Sequence, residues 1–393
     1  MAIPLKRKAL RRRLERSLRV SPVVALIGPR QCGKTTLARA IASGREGRYF
    51  DLEDPIALQQ LVQPKTTLGA LDGLVVIDEV QRRPELFPLL RVLVDNARPR
   101  RRFLILGSAS PELLQQGSET LAGRIAFVEM SGFDLEEVGA AAMDRLWLRG
   151  GLPRSFLARG AAASAAWRRD FIRTFLERDV LQLGIRVPAP TLRRLWSMLA
   201  HYHGQIWNGS EIARALGEAH TTVKRHLDAL TGALVVRQLQ PWYENLGKRQ
   251  VKAPKVYVRD SGLLHALLDI NSLAALQGHP KSGASWEGFV LEELIGVAGE
   301  RNSYYWRTQA GAELDMLVML QGRRIGVEVK YADAPGMTRS MHASIESLRL
   351  DRLYVVYPGT EPYVLQPDVE VLPLALARER VVAHAGGGHG EKI

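Results

Sequence analysis

At 393 residues with 46% apolar side chains, the chain is long enough for roughly two to four packed domains. A single cysteine excludes a disulfide framework and a cysteine-built metal knuckle. No apolar run of about eighteen residues exists to span a bilayer and no signal-like segment is visible, so a soluble, cytoplasmic protein with no membrane partner is expected. The 54 lysines and arginines against 41 acids leave a net charge of +13, which points to a polyanionic partner.

The charge is concentrated first at the amino end. Lys6, Arg7, Lys8, Arg11, Arg12, Arg13, Arg16 and Arg19 precede the first apolar strand, with only Glu15 against them. Residues 1–20 are expected as a basic helix whose charged face meets phosphates or a neighbouring subunit; a solvated face is the bland alternative.

The apolar run Val23 to Ile27 then leads into GPRQCGKT at 28–35, a complete G-x-x-x-x-G-K-[ST] loop with a helical run after it. Gly28 and Gly33 let backbone amides curl around phosphates, and the helix N-terminus adds its partial positive charge. Lys34 supplies a point charge, and the Thr35 hydroxyl is a Mg²⁺ ligand. The expected nucleotide-binding residues are Gly28, Pro29, Arg30, Gln31, Cys32, Gly33, Lys34, Thr35 and Thr36, with Cys32 as a small filler.

Leu74 to Ile77 is a buried-strand run ending in Asp78-Glu79, which assigns Asp78 to the metal and Glu79 to activation of the attacking water. A third run, Phe103 to Leu106, ends in Gly107-Ser108 and places Ser108 as a sensor of the γ-phosphate. Tyr49 to Leu52 reads as another strand end, with Asp51, Glu53 and Asp54 capping a helix that begins near Pro55. Arg124, in a glycine turn, is the candidate arginine for a γ-phosphate, in cis or from the next subunit. Strands ending in chemistry with helices between them describe an α/β fold, a parallel sheet with its ligand at the C-terminal edge, over residues 21–135.

Residues 136–190 read as a helical lid or connector, broken by Gly150-Gly151-Leu152-Pro153. Over 191–270, a helix from Leu192 to His203 is followed by a short one that Ser210 caps and Gly217 ends. A third helix from Thr221 buries Val223, Leu227 and Leu230 and turns Thr221, Thr222, Lys224 and Arg225 outward. Strands 234–239 and 255–258, with a basic tip at Lys248 and Arg249, complete a winged helix-turn-helix, used either for DNA contact or for packing.

In 271–380, Gln321-Gly322 as a two-residue hairpin loop would pair Leu320 with Arg323 and so place Asp315 opposite Glu328, with Lys330 beside them. Glu287, on a helix around Trp286 to Leu294, is a further acid. A D…E-x-K set suits a Mg²⁺-dependent phosphodiesterase, or else a salt-bridged scaffold. The glycine- and histidine-rich tail, 381–393, is expected to be disordered.

These stretches resemble a prokaryotic family of AAA-type ATPases whose C-terminal region, a domain of unknown function, joins a winged helix to a restriction-endonuclease-like PD-(D/E)xK fold. The resemblance rests on GPRQCGKTTLA at 28–38, YFDLEDP at 49–55, VVIDEVQRRPELFPLLRVLVD at 75–95, LILGSASPELL at 104–114, KVYVRDSGL at 255–263, WEGFVLEEL at 286–294, YYWRTQAGAELDMLV at 304–318 and GVEVK at 326–330. It implies ATP and Mg²⁺ binding by Lys34, Thr35 and Asp78, a catalytic Glu79, and a nuclease-like fold around Glu287, Asp315, Glu328 and Lys330. The expected function is an AAA+ ATPase that remodels or translocates on DNA as a ring-like homo-oligomer, with a hexamer foremost. An ATP-regulated nuclease and a toxin-antitoxin-type switch without DNA are the rivals.

Overall fold

Five strands of the amino-terminal half, the central three of them near-continuous apolar runs, form a sheet whose middle is covered on both faces. In a computed structural model describing residues 7–96, 101–108, 117, 119–180, 187–243 and 252–385, they are β1 (Val23–Gly28), β2 (Gly47–Asp51), β3 (Leu74–Asp78), β4 (Arg102–Ser108) and β5 (Ile125–Glu129). All are parallel, in the order β2-β3-β4-β1-β5. Helix α1 (Lys8–Val20) packs Leu14 and Leu18 into the core beside Val24 and Leu26. Helix α2 (Lys34–Ala42) follows the glycine loop, and α3 (Pro55–Gln60) is capped by Asp54, whose side chain accepts from the Ile56 amide at 2.9 Å.

Helix α1 carries most of the amino-terminal basic residues, but not every charge beside it faces outward. Lys8, Arg11, Arg12, Arg13, Arg16 and Arg19 are exposed. Arg7 is instead buried, donating to the Gly132 carbonyl at 2.7 Å and the Ser131 carbonyl at 3.0 Å, and pairing with Glu137 at 2.8 Å. It fastens the chain entry to the turn after β5 and is not part of a face offered to a partner. Lys6 lies outside the described residues.

After β5 the described chain is mostly helical up to Val180. Helix Ala161–Thr174 widens into a π turn at Phe175–Asp179, a winding that costs ideal hydrogen-bond geometry. Then come helix Ala189–His201, β6 (Gln205–Ile206), helix Gly209–Leu216, helix His220–Gly232, β7 (Val236–Leu239) and β8 (Lys255–Val258). The strands form an antiparallel sheet in the order β6-β8-β7. Val223, Leu227 and Leu230 are buried, whereas Thr221, Lys224 and Arg225 are exposed and Thr222 is half-buried. The cap of the short helix is Asn208, whose side chain accepts from the Glu211 amide, not Ser210, because the helix starts earlier. Gly217 ends it at φ 71°, a left-handed conformation. Lys248 and Arg249 lie outside the described residues.

The last domain is helix Ser282–Ala298, β9 (Ser303–Arg307), β10 (Glu313–Leu320), β11 (Arg323–Val329), helix Arg339–Leu348, β12 (Arg352–Tyr357), β13 (Tyr363–Gln366), β14 (Val369–Pro373) and helix Leu374–Ala385. Its mixed sheet runs β13-β14-β12-β11-β10-β9. Gln321 and Gly322, at φ 50° and 79°, make the tight turn, and the register runs from Leu320↔Arg323 to Met316↔Val327. The final helix carries the backbone to Ala385, past the expected start of the tail at 381. Among the described residues, no helix is long and apolar enough to cross a membrane.

Candidate functional site

The sheet delivers its chemistry to one edge. Gly28 ends β1 directly beside Ser108 at the end of β4, while Asp51 and Asp78 end β2 and β3 side by side. A Cβ on Gly28 would meet the Met130 carbonyl at 2.2 Å, and Gly33 sits at φ 101°, so neither tolerates another residue without strain. Lys34, buried, donates from Nζ to the Gly28 and Pro29 carbonyls at 2.9 and 3.0 Å. Its ammonium is thus held within the loop that phosphates would fill. Cys32 is fully buried, in keeping with a filler, and Arg30 pairs with Asp179 of the π turn at 2.9 Å. Gln31 and Thr36 are exposed.

Asp78 is the focus of this edge. Its Oδ2 accepts from Thr35 Oγ1 at 2.8 Å and from the Tyr49 hydroxyl at 2.5 Å. Burial, and next the Asp78 carboxylate, push the Tyr49 phenol up, so it stays a donor. Glu79 holds a left-handed φ of 54° without being glycine, local strain of the kind that collects at functional sites. Burial raises its carboxyl while Lys34 pulls it back, and Gln81 bonds its side chain. Ser108 is buried, and its Oγ has no hydrogen-bond partner among the described residues.

Arg124 departs from the expected geometry. It immediately precedes β5, and Val23 at the start of β1 donates to its carbonyl. The parallel register therefore puts it at the opposite end of the sheet from Gly28. Its guanidinium pairs with Asp95 at 2.5 Å on the exposed surface. An action in cis on this chain's own phosphate loop is excluded by that distance along the strand.

A second cluster lies in the last domain. Extending the β10–β11 register by one step sets Asp315 opposite Glu328, and Asp315 Oδ2 accepts from the Val329 amide at 2.9 Å. Lys330 Nζ donates to Glu328 Oε1 at 2.6 Å. Glu287, from helix Ser282–Ala298, joins Asp315 through a residue that sequence reasoning did not place there. Lys255 of β8 directs Nζ to Glu287 at 3.2 Å, to Asp315 at 3.6 Å and to Glu313. Tyr257, two residues on, donates to Glu287 at 2.6 Å. Burial pushes the Glu287 and Glu328 carboxyls up. Among the described residues, no group of three or more histidine, cysteine or acidic side chains is placed to hold a metal ion.

Comparisons with known proteins match three stretches of the chain. Residues 20–139 match an AAA domain, 140–274 a domain of unknown function (DUF8612), and 282–377 another domain of unknown function (DUF4143). The uncharacterized protein Rv2008c of Mycobacterium tuberculosis is 54% identical over 369 residues, 94% of this chain and 84% of that protein. The uncharacterized protein Mb2031c of Mycobacterium bovis matches to the same extent. The chain belongs to their family. Among solved structures, the Walker-type ATPase PABY2304 of Pyrococcus abyssi aligns at 18% identity over 67% of this chain and 96% of its own, with a TM-score of 0.48. AMPPCP-bound DnaA from Aquifex aeolicus aligns at 15% over 59% of this chain and 89% of its own, with a TM-score of 0.29.

Within the AAA domain, Tyr49 is the residue that sequence reasoning passed over; it appeared only as part of a strand end. Its one signal is its place two residues before Asp51, on a strand that pairs in register with β3. Tyr49→Phe should cost the nucleotide-free protein about 1.5–3 kcal/mol, the worth of a hydrogen bond to a charged group. The deficit should shrink in MgATP if a metal displaces the Tyr49 hydroxyl from Asp78. Thermal melts with and without MgATP check this; an equal loss in both states would contradict it.

Proposed function

We propose that the chain is a Mg²⁺-dependent AAA-type ATPase that grips and remodels DNA as a ring-like oligomer. The observation that carries the ATPase part is the convergence of Thr35 Oγ1 and Asp78 Oδ2, at 2.8 Å, beside the Lys34 ammonium at one sheet edge. These residues fit a metal-bound triphosphate: a hydroxyl and a carboxylate for the metal, and a lysine and loop amides for phosphate oxygens. Mg²⁺, when bound, neutralises charge on the β- and γ-phosphates. Lys34 adds a second positive charge to them, Glu79 takes the proton of the attacking water, and Ser108 Oγ offers a buried hydroxyl at the same edge. With Arg124 at the far end of the sheet, its reading as an arginine acting on a neighbouring subunit's nucleotide is the one that stands, and it favours an oligomer.

The DNA part rests on charge and element order. Helix, strand, helix, helix, strand, strand over 189–258 is the order of a winged helix, and the third helix exposes Thr221, Lys224 and Arg225. The exposed arginines of α1 supply a second basic surface. Duplex, single-stranded or branched DNA should stimulate ATP turnover, and the stimulation should fade as salt rises. K224E/R225E should weaken it roughly tenfold or more while leaving basal turnover unchanged, since two lost phosphate contacts flatten the salt slope by about two. Turnover indifferent to every DNA at low salt would favour the switch without DNA.

A second reading, an ATP-regulated nuclease, is favoured by Asp315, Glu328 and Lys330 gathering on one end of the β10–β11 hairpin, within a helix–three strands–helix–strand order. Plasmid and branched DNA incubated with Mg²⁺ or Mn²⁺, against Asp315→Ala, tests it.

A further inference from the structure

The phosphate loop carries two cations, Arg30 and Lys34, and the fold holds them differently. Lys34 is kept by carbonyls of the loop itself, whereas Arg30 pairs through Nη1 with Asp179 Oδ1 at 2.9 Å, from far along the chain. Asp179 ends the π turn Phe175–Asp179, in which the Val180 amide reaches back to the Phe175 carbonyl. Such turns have poorer hydrogen bonding than an α-helix and recur at functional sites. The pair is sheltered, its two side chains 17% and 7% exposed. Burial lifts the Asp179 carboxyl, and Arg30 is the first charge to draw it back.

The loop does not need this pair to stay in place. Phe175, Leu176 and Val180 share one core with Cys32 of the loop, and Pro153 lies against Gly33, where an added Cβ would meet its Cγ at 3.9 Å. Apolar contact thus already seats the loop against the helices after β5, and a buried ion pair is no better a tether than such packing. A carboxylate beside an anion-binding loop also opposes phosphate by plain repulsion. What an acid adds is direction. A guanidinium is a planar fork, and a carboxylate on one edge fixes where the rest of it points. Arg30 stands toward the chemistry, since its charge is among those that draw down the Glu79 carboxyl that burial raises.

We propose that Asp179 is a positioning residue of the ATPase, fixing Arg30 so that its guanidinium meets the triphosphate in this chain's own loop. Arg124 cannot serve there, because parallel topology puts it at the opposite end of the sheet. Arg30 is then the arginine supplied in cis, and Asp179 acts only through it. This rests on the ATPase reading above and requires neither DNA nor the last domain.

The test measures MgATP binding by calorimetry and steady-state hydrolysis on the full-length chain. D179N should bind MgATP at least as tightly as wild type, because a negative charge near the phosphates is gone. It should nevertheless turn over about ten- to a hundredfold more slowly, with its arginine no longer aimed. R30Q should weaken binding and slow turnover together. R30Q/D179N should be no slower than R30Q, since Asp179 has nothing left to position. A D179N chain that keeps its kcat or binds MgATP more weakly overturns the proposal, and so does a double variant in which the two losses multiply. Melting is followed alongside. A D179N chain that fails to fold even in MgATP overturns the proposal too, because the pair then holds the fold and not the nucleotide. Wild type that hydrolyses no MgATP would refute the ATPase reading and this proposal together, whereas wild-type turnover matched by D179N sinks the proposal alone.

Discussion

Glu79→Gln should leave ATP binding intact and slow hydrolysis by about 10²–10⁴-fold, the usual worth of a positioned general base. The carboxyl is the only change: glutamine keeps the size, the left-handed backbone at φ 54° and the capacity to bond Gln81. What it cannot do is take a proton from water. Lys34→Ala should behave differently and abolish binding itself, because the ammonium is the charge held inside the loop at 2.9 Å from the Gly28 carbonyl. Calorimetry with MgATP and single-turnover hydrolysis separate the two. Unchanged turnover in Glu79→Gln would move the base elsewhere, and tight ATP retention by Lys34→Ala would remove the phosphate loop from its role.

Arg237→Met should be the most damaging single change to stability. Arg237 is 4% exposed and holds Glu292, with Glu300 at 3.2 Å. Arg259 shares Glu292 at 3.1 Å and reaches Glu129, at the end of β5, at 2.6 Å. Removing one buried partner strands charge in the interior, an effect of about 3–5 kcal/mol. Burial alone would raise Glu292, but Arg237 and Arg259 hold it at about 2. Its carboxylate therefore stays ionised in the folded chain after the unfolded chain has begun to take up protons near about 4.3. That contribution is fully present at neutral pH and is lost as pH falls through about 4 toward 2. Urea melts at pH 7 and pH 3 should show the wild-type advantage over R237M shrinking in acid; a constant gap would mean that packing, not charge, is at work.

The ATPase core was legible because its signals are local. Glycines at fixed spacing, apolar runs and terminal acids are chemistry that neighbouring residues specify by themselves, and β1 to β4 followed, whereas the edge strand β5 carries no such mark. The β10–β11 register was equally legible, since a two-residue turn fixes every pair beyond it. What escaped was long-range. Lys255 read as one basic residue in a wing strand, and nothing nearby in the sequence marks it as the counter-charge of Glu287, Glu313 and Asp315. Arg7 read as one of a row of arginines, although the fold buries it and leaves its neighbours outside. Arg124 was judged by its place shortly after the strand that ends in Ser108, and parallel topology carried it to the far end. Asn208 displaced Ser210 because either residue can cap, and only the start of the winding decides.

Lys255, Arg237 and Arg259 all precede Ser282, whereas the acids they neutralise, Glu287, Glu292, Glu313 and Asp315, all follow it. A gene truncated at that seam would yield a fragment with its negative side chains severed from their counter-ions. The carboxyl-terminal region is therefore no freestanding module, however neatly its boundary reads on paper. Any fusion or excision that treats it as one should carry the β7–β8 hairpin along.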